Sequence, residues 1–436
     1  HMTTINSIPN EEPKMSIGLV LPEDKQSELS VEICSSDHIL YIDKIEQVSK
    51  QTDLLIQLGP NGILVNDKPF KDLHIKNRSR EHSDFIYLKS IKAGRGFHWQ
   101  KSISIKILGD LHVSALESYL FVVNKVYLED YLMCVATSEM SGNCPLALLE
   151  AQTIVARSWI LAAAEKKHKD LDLDACNDDC CQRYQGIANI NQESIKAARN
   201  TRGIILVHDD EVCDTRYSKS CGGISENNEN VWDTDPKPYL ISVVDSRSSE
   251  NNDVTSENGF RQWIKRKTFS FCGPEFIPES ELTKFLGSVD VKGQYFRWKI
   301  SYNNEEITDL INSKTKKSFR NINSLVPLKR GKSGRIIQLK IVGEADHGSS
   351  DSILIESEYE IRRVLHHEFL YSSAFTVETN SDDKNGENRV TLRGAGWGHG
   401  VGLCQIGALG MALDGRKTDE ILLHYYHSSE MRNTYA

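Results

Sequence analysis

Cysteine is scarce: ten among 436 residues, too few for the disulfide density that staples small secreted domains. Long hydrophobic runs are missing too, none approaching the ~18 residues of a membrane-crossing helix. Positive charge is in deficit, with a formal net charge of −9. No segment is basic enough to neutralise a phosphate backbone, which argues against a nucleic-acid binder and a polybasic membrane-surface role. Disorder is disfavoured by composition, since 39% of residues are hydrophobic and 26% charged, as in ordinary globular chains. The length suggests two or three domains. The opening His1-Met2 reads as a cloning scar, so a trimmed signal sequence is expected upstream.

The pattern along the chain is that of a multi-lobed α+β protein. Residues 1–14 are polar and expected as a disordered tail. Residues 15–125 read as a β-rich domain: short runs such as Leu54–Leu58 and Phe85–Leu88 are separated by turn signals such as Gly59-Pro60-Asn61-Gly62. The character changes near Leu128. Helices are predicted over 129–140 and 145–167, separated by Ser141-Gly142-Asn143, with Pro145 as a first helical residue. Another helix is predicted over 192–200 and a strand over 203–207. Stretches 245–259 and 378–388 read as polar loops. Residues 126–245 and 376–436 form the expected mixed α/β catalytic core, and 246–375 an inserted α+β lobe with a hairpin turning at Gly331–Gly334.

Several residues sit where packing alone would not put them. In the first helix Leu132, Val135 and Ala136 form an apolar stripe, and the next position on that stripe is Glu139. A carboxyl on such a face loses solvation, which disfavours its charged form and suits a general acid; a buried structural glutamate is the alternative. Arg157 lies among Ala156, Trp159 and Ile160, as an ion-pair partner or a substrate clamp would. His168, Cys176 and Cys181 supply three nitrogen and sulfur donors, enough for a tetrahedral zinc with a fourth position left for Cys180 or water. A disulfide is the competing reading there. The other seven cysteines are scattered and expected to pack as small hydrophobes. Seven glycines between Gly394 and Gly410 strip side chains from the tail segment, leaving His399 and Gln405 as its polar groups.

Taken in series, five stretches resemble the stage II sporulation protein D family. They are Leu128-Glu129-Asp130-Tyr131-Leu132 with Ser138-Glu139-Met140; Ala151-Gln152 with Ala156-Arg157-Ser158; Cys176 with Cys181-Gln182 and Tyr184; Tyr217-Ser218 with Gly222-Gly223, Val231-Trp232 and Pro238-Tyr239-Leu240; and Gly396 through Gly402 with Gln405. They cover roughly 125–430. The resemblance implies a peptidoglycan lytic transglycosylase of the periplasm or cell envelope, acting on glycan strands stripped of stem peptides. It implies Glu139 as the catalytic glutamate and a zinc-binding segment at Cys176 and Cys181 with His168. Arg157, Ser218, His399 and Gln405 are then the expected substrate contacts, and zinc, where bound, braces a loop. Rival readings are a non-catalytic glycan binder that enhances a cell-wall amidase, a zinc hydrolase, and a hydrolytic muramidase using Asp130 or Glu129 as second carboxylate. The chain departs from the family pattern at Glu150, Cys180, Cys221, Cys404 and Tyr425-Tyr426-His427-Ser428.

Overall fold

The computed structural model describes residues 8–48, 51–96, 100–248, 253–287, 293–381 and 388–435. The first seven residues of the expected tail lie outside this set. Helices and strands mix throughout in an α+β, multi-sheet architecture. The chain divides into two units, residues 1–214 with 284–289 and 431–436, and residues 215–283 with 290–430. The sequence-based cuts at 125 and 245 do not coincide with this division.

Two antiparallel-rich sheets dominate the first unit. One has six strands, ordered Lys101–Ile107, Phe85–Ala93, Glu28–Cys34, Asp53–Gly59, Gly62–Val65, Lys68–Phe70. Alternation explains its register. In Glu28–Cys34 every second residue is buried, so Leu29 meets Ile56, Val31 meets Leu54 and Leu88, and Ile33 meets Ile86. Each such side chain contributes roughly 1.5–3 kcal/mol when removed from water. The other sheet has seven strands and runs from Ile45–Glu46 to the two-residue edge strand Ala175–Cys176, which pairs in parallel with Ile17 and Gly18 of the strand Lys14–Val20.

Three helices complete the unit: α1 (Leu128–Glu139), α2 (Leu146–Ala162) and α3 (Gln192–Asn200). One hydrophobic core is continuous from Met15 and Ile17 of the strands to Tyr131, Leu132 and Val135 of α1 and Ala156 and Ile160 of α2. Glu129 and Asp130 occupy the first turn of α1, where negative charge suits the helix dipole, and the Glu129 N–H donates to Glu12 Oε1 at 3.0 Å. Pro145 precedes α2 rather than opening it; its carbonyl accepts the first two bonds, from the Leu148 and Leu149 N–H groups. The expected extension of α2 to 167 is absent, because Ala163 turns left-handed at φ +50° and ends the helix.

The second unit holds α4 (Glu257–Trp263), α6 (Asn304–Lys314), α7 (Glu358–Val364), α8 (Gln405–Leu413) and α9 (Thr418–Tyr425); α5 (Glu279–Leu286) straddles the division. Its hairpin strands Phe319–Arg330 and Ile336–Ala345 bracket the expected turn. The polar stretch 378–388 is only partly loop: Phe375–Ser381 is an edge strand paired with Asn388–Ala395, its Phe375 buried in the core. Asn388–Ala395 also pairs with Arg297–Asn303, so tail and expected insertion share one sheet. Among the described residues no helix is long and apolar enough to cross a membrane.

Candidate active site

Glu139 closes α1. Leu132, Val135 and Ala136 are 0–1% exposed, and Glu139, one turn on, is still only 8% exposed. Its Oε1 accepts the backbone N–H of Arg183 at 2.9 Å, and the neighbouring Ser138 Oγ accepts the N–H of Gln185 at 3.0 Å. The segment after Cys181 is therefore stitched to the end of α1 by main-chain donors.

That same segment carries a four-donor cluster. The ligand-type atoms of His168, Cys176, Cys180 and Cys181 all lie within 4.8 Å of one another. Cys176 Sγ stands 3.2 Å from Cys180 Sγ, which stands 3.6 Å from His168 Nε2. The left-handed Ala163 lets the chain turn out of α2 towards His168. Cys176 is fixed by its strand, and Asp178 binds the Gly94 and Arg95 N–H groups at 2.9 and 2.6 Å. Hydrogen bonds from Cys176 and Cys181, then His168, hold Cys180 below the usual thiol range. One nitrogen and three sulfurs in this compass fit a tetrahedral soft cation, for which ~2.3 Å metal–sulfur bonds give sulfur–sulfur edges of about 3.8 Å. Cys180 lies in the same compass as the three donors the sequence offered.

Arg157 is wholly buried. Its Nε and Nη2 bind Glu129 Oε1 and Oε2 at 2.9 and 2.7 Å, and its Nη1 donates to the Ile204 carbonyl at 2.9 Å. Glu129 also accepts from Tyr435 Oη at 2.6 Å. The guanidinium thus ties α1, α2 and the strand Ile204–His208 together. Asp130 is occupied by Arg80, at 2.9 Å.

Ser218, His399 and Gln405 belong to the second unit, where the structure brings their segments together. Tyr217–Ser218 pairs in parallel with Leu403–Cys404, and Ser220 and Trp397 exchange both backbone bonds at 3.1 and 2.8 Å. Ser218 Oγ is buried without a hydrogen-bond partner among the described residues. His399 is half-buried, accepts the Val401 N–H on Nδ1 at 3.0 Å and packs edge-on to Trp232 at 4.8 Å. Burial, then the guanidinium groups of Arg216, Arg362 and Arg335, hold its imidazole well below the usual histidine range, so it is neutral. Gln405 begins α8 and is 2% exposed. The glycine run has a steric cause: Gly400 sits at φ +77°, and a Cβ there would lie 2.3 Å from Arg335 Cζ.

The sequence did not announce two features. Arg183 acts on Glu139 through its main chain, which side-chain identity does not reveal. Cys221, Cys272 and Cys404, expected as scattered small hydrophobes, meet at Asp245 in a second four-donor group.

With this geometry in hand, residues 117–208 match the family described as stage II sporulation protein, spanning α1, α2, the His168–Cys181 cluster and α3. Curated relatives that bear the family's full name align over most of the chain. One, stage II sporulation protein D of Bacillus subtilis, is 24% identical over 329 residues, 71% of this chain and 75% of its own. The chain carries a stage II sporulation protein segment and is similar to stage II sporulation protein D over most of its length. Residues 226–402 match a second family, described as a domain of unknown function. The chain is also similar to an uncharacterized protein of Brachyspira hyodysenteriae, 27% identical over 329 residues, 75% of this chain and 72% of the relative. A further relative is the amidase enhancer of Bacillus subtilis, 25% identical over 303 residues, 67% of this chain but only 39% of that longer protein. These similarities support a cell-wall-related role.

Proposed function

We propose that the protein is a lytic transglycosylase of the cell envelope, cleaving the bond between N-acetylmuramic acid and N-acetylglucosamine in peptidoglycan strands stripped of stem peptides. The observation that carries this reading is the Arg183 N–H on Glu139 Oε1, because it orients a buried carboxyl from a loop that the His168–Cys181 cluster holds. Protonated Glu139 gives its proton to the glycosidic oxygen as the C1–O bond breaks. The resulting carboxylate takes the proton of the muramyl 6-hydroxyl as that oxygen bonds to C1. The product is a 1,6-anhydro sugar, no water is consumed, and one carboxyl serves both steps where ordinary glycosidases need two.

His168, Cys176, Cys180 and Cys181 would hold zinc, which when bound supplies rigidity to the 168–183 loop. Four donors close the coordination shell, whereas a hydrolase would need an open position for water. A second catalytic carboxylate is also unsupported, since Glu129 and Asp130 are spent on Arg157 and Arg80. Arg157 is assigned to scaffold rather than sugar. Ser218, with its unpartnered buried hydroxyl, and His399 remain assigned to saccharide contact within their own unit, with Gln405 beside them.

Denuded strands incubated with the protein are expected to yield anhydro-ended fragments by mass spectrometry. Glu139→Gln, which keeps the shape and removes the acid, is expected to lower the rate by ~10²–10⁴-fold. An unchanged product yield from Glu139→Gln would remove Glu139 from the reaction. A second reading, a glycan-binding activator of a cell-wall amidase, is favoured by the name of one relative. Glu139→Gln that binds strands and stimulates an amidase as wild type does, with no anhydro product from either, would select it.

A further inference from the structure

We propose that Cys221, Cys272, Cys404 and Asp245 form a second metal site, taking a single zinc-like divalent cation in the second unit. The four ligand-type atoms lie within 4.8 Å of one another, and the residues are 2%, 4%, 1% and 0% exposed. Cys221 Sγ and Cys272 Sγ are 3.8 Å apart, the edge expected of a tetrahedron built on ~2.3 Å metal–sulfur bonds. A disulfide would need that distance to shrink to about 2.05 Å, and three thiols cannot pair off among themselves.

The surroundings are those of a ligand set rather than of packing. Asp245 Oδ2 faces Cys221 Sγ at 3.4 Å, while Oδ1 is fixed from behind by Tyr425 Oη at 2.7 Å and His424 Nε2 at 3.1 Å. An outer pair of hydrogen bonds of this kind orients a coordinating carboxylate. Backbone donors point at the sulfurs: the Cys221 and Gly407 N–H groups at Cys404 Sγ, at 3.2 and 3.3 Å, and the Gly223 N–H at Cys221 Sγ, at 3.4 Å. Such donors stabilise thiolates, and Cys404 gains further as the N-cap of α8. Arg297 donates to the carbonyl of Gly222, next to Cys221, and its Nη2 is buried without a partner among the described residues. A buried cation beside buried carboxylate and sulfur offsets the excess negative charge such a centre carries. The ion would fasten together four segments far apart in sequence.

The test uses the full chain crystallised after incubation with zinc chloride, with anomalous data collected on either side of the zinc edge. A peak bounded by these three sulfurs and Asp245, separate from any peak at His168, is expected. No peak there, or a Cys221–Cys272 disulfide, overturns the site. In solution, Cys404→Ser is expected to lose one zinc per chain relative to wild type by elemental analysis, and an unchanged count in the folded variant overturns it. The crystal measurement needs no variant, so a misfolded Cys404→Ser leaves the proposal testable.

Discussion

At the scale of single residues, pairing rather than burial marks a structural charge, since Glu129 and Glu139 are both 8% exposed. Arg157 and Glu129 form a buried bidentate pair in which each group depends on the other. Arg157→Ala leaves a carboxylate in the core with only Tyr435, the Gly203 N–H and its helix for company, and is expected to cost ~3–5 kcal/mol in a denaturant melt. Strand binding by the fraction that stays folded is expected to be unchanged, which separates a scaffold from a substrate clamp. His399 makes the opposite kind of prediction. Its folded-state value lies below the ordinary 6.5, so below about pH 6.5 the unfolded chain takes up a proton that the folded chain refuses. Stability is therefore lost as pH falls through that window, by at most ~1.4 kcal/mol per pH unit. Urea midpoints measured between about pH 7 and about pH 5 are expected to fall less steeply for His399→Gln than for wild type. The sequence made Glu139 legible because a carboxylate interrupts a hydrophobic period. It could not make Arg183 legible, because the group that counts there is an amide every residue but proline possesses.

Among the elements, the loop between α2 and α3 holds the His168–Cys181 donor cluster and the main-chain donors to the end of α1. Its beginning at His168 and its end at Arg183 are fixed by different forces, donor atoms at one side and main-chain bonds to α1 at the other. Removing the metal with a strong chelator, or Cys176→Ser, is expected to lower activity ~10–100-fold, as loss of orienting interactions around a site does. The products that remain are expected to keep their anhydro ends, since the proposed reaction gives the ion no chemical step. Reducing-end products after chelation, or products that vanish while the loop stays ordered by hydrogen exchange, would assign the ion a different role. The helices flanking this loop were legible from apolar spacing and from Ser141-Gly142-Asn143. The end of α2 was not, because Ala163 is a helix former by type yet adopts a left-handed turn. Nor was the strand Ala175–Cys176: two residues carry no period, and only pairing with Ile17 and Gly18 defines them.

For the whole molecule, the legible part was local and the illegible part was long-range. Alternation in Glu28–Cys34 and the helical stripe of α1 each follow from a few neighbours, but that both feed one core depends on contacts between residues a hundred positions apart. The same limit hid the group at Asp245, since Cys221, Cys272 and Cys404 share no spacing motif. Function at this scale reduces to whether water enters the products. Intramolecular capture of C1 by the 6-hydroxyl conserves every atom of the strand, whereas a muramidase or a metal hydrolase adds one oxygen per cut. Digestion in heavy-oxygen water is therefore expected to give fragments free of label, each pair summing to the mass of its parent. Label at the new sugar ends would overturn single-carboxyl transglycosylation even if Glu139 proved essential. Unlabelled, uncut strands that become better amidase substrates would move the protein to the activator class.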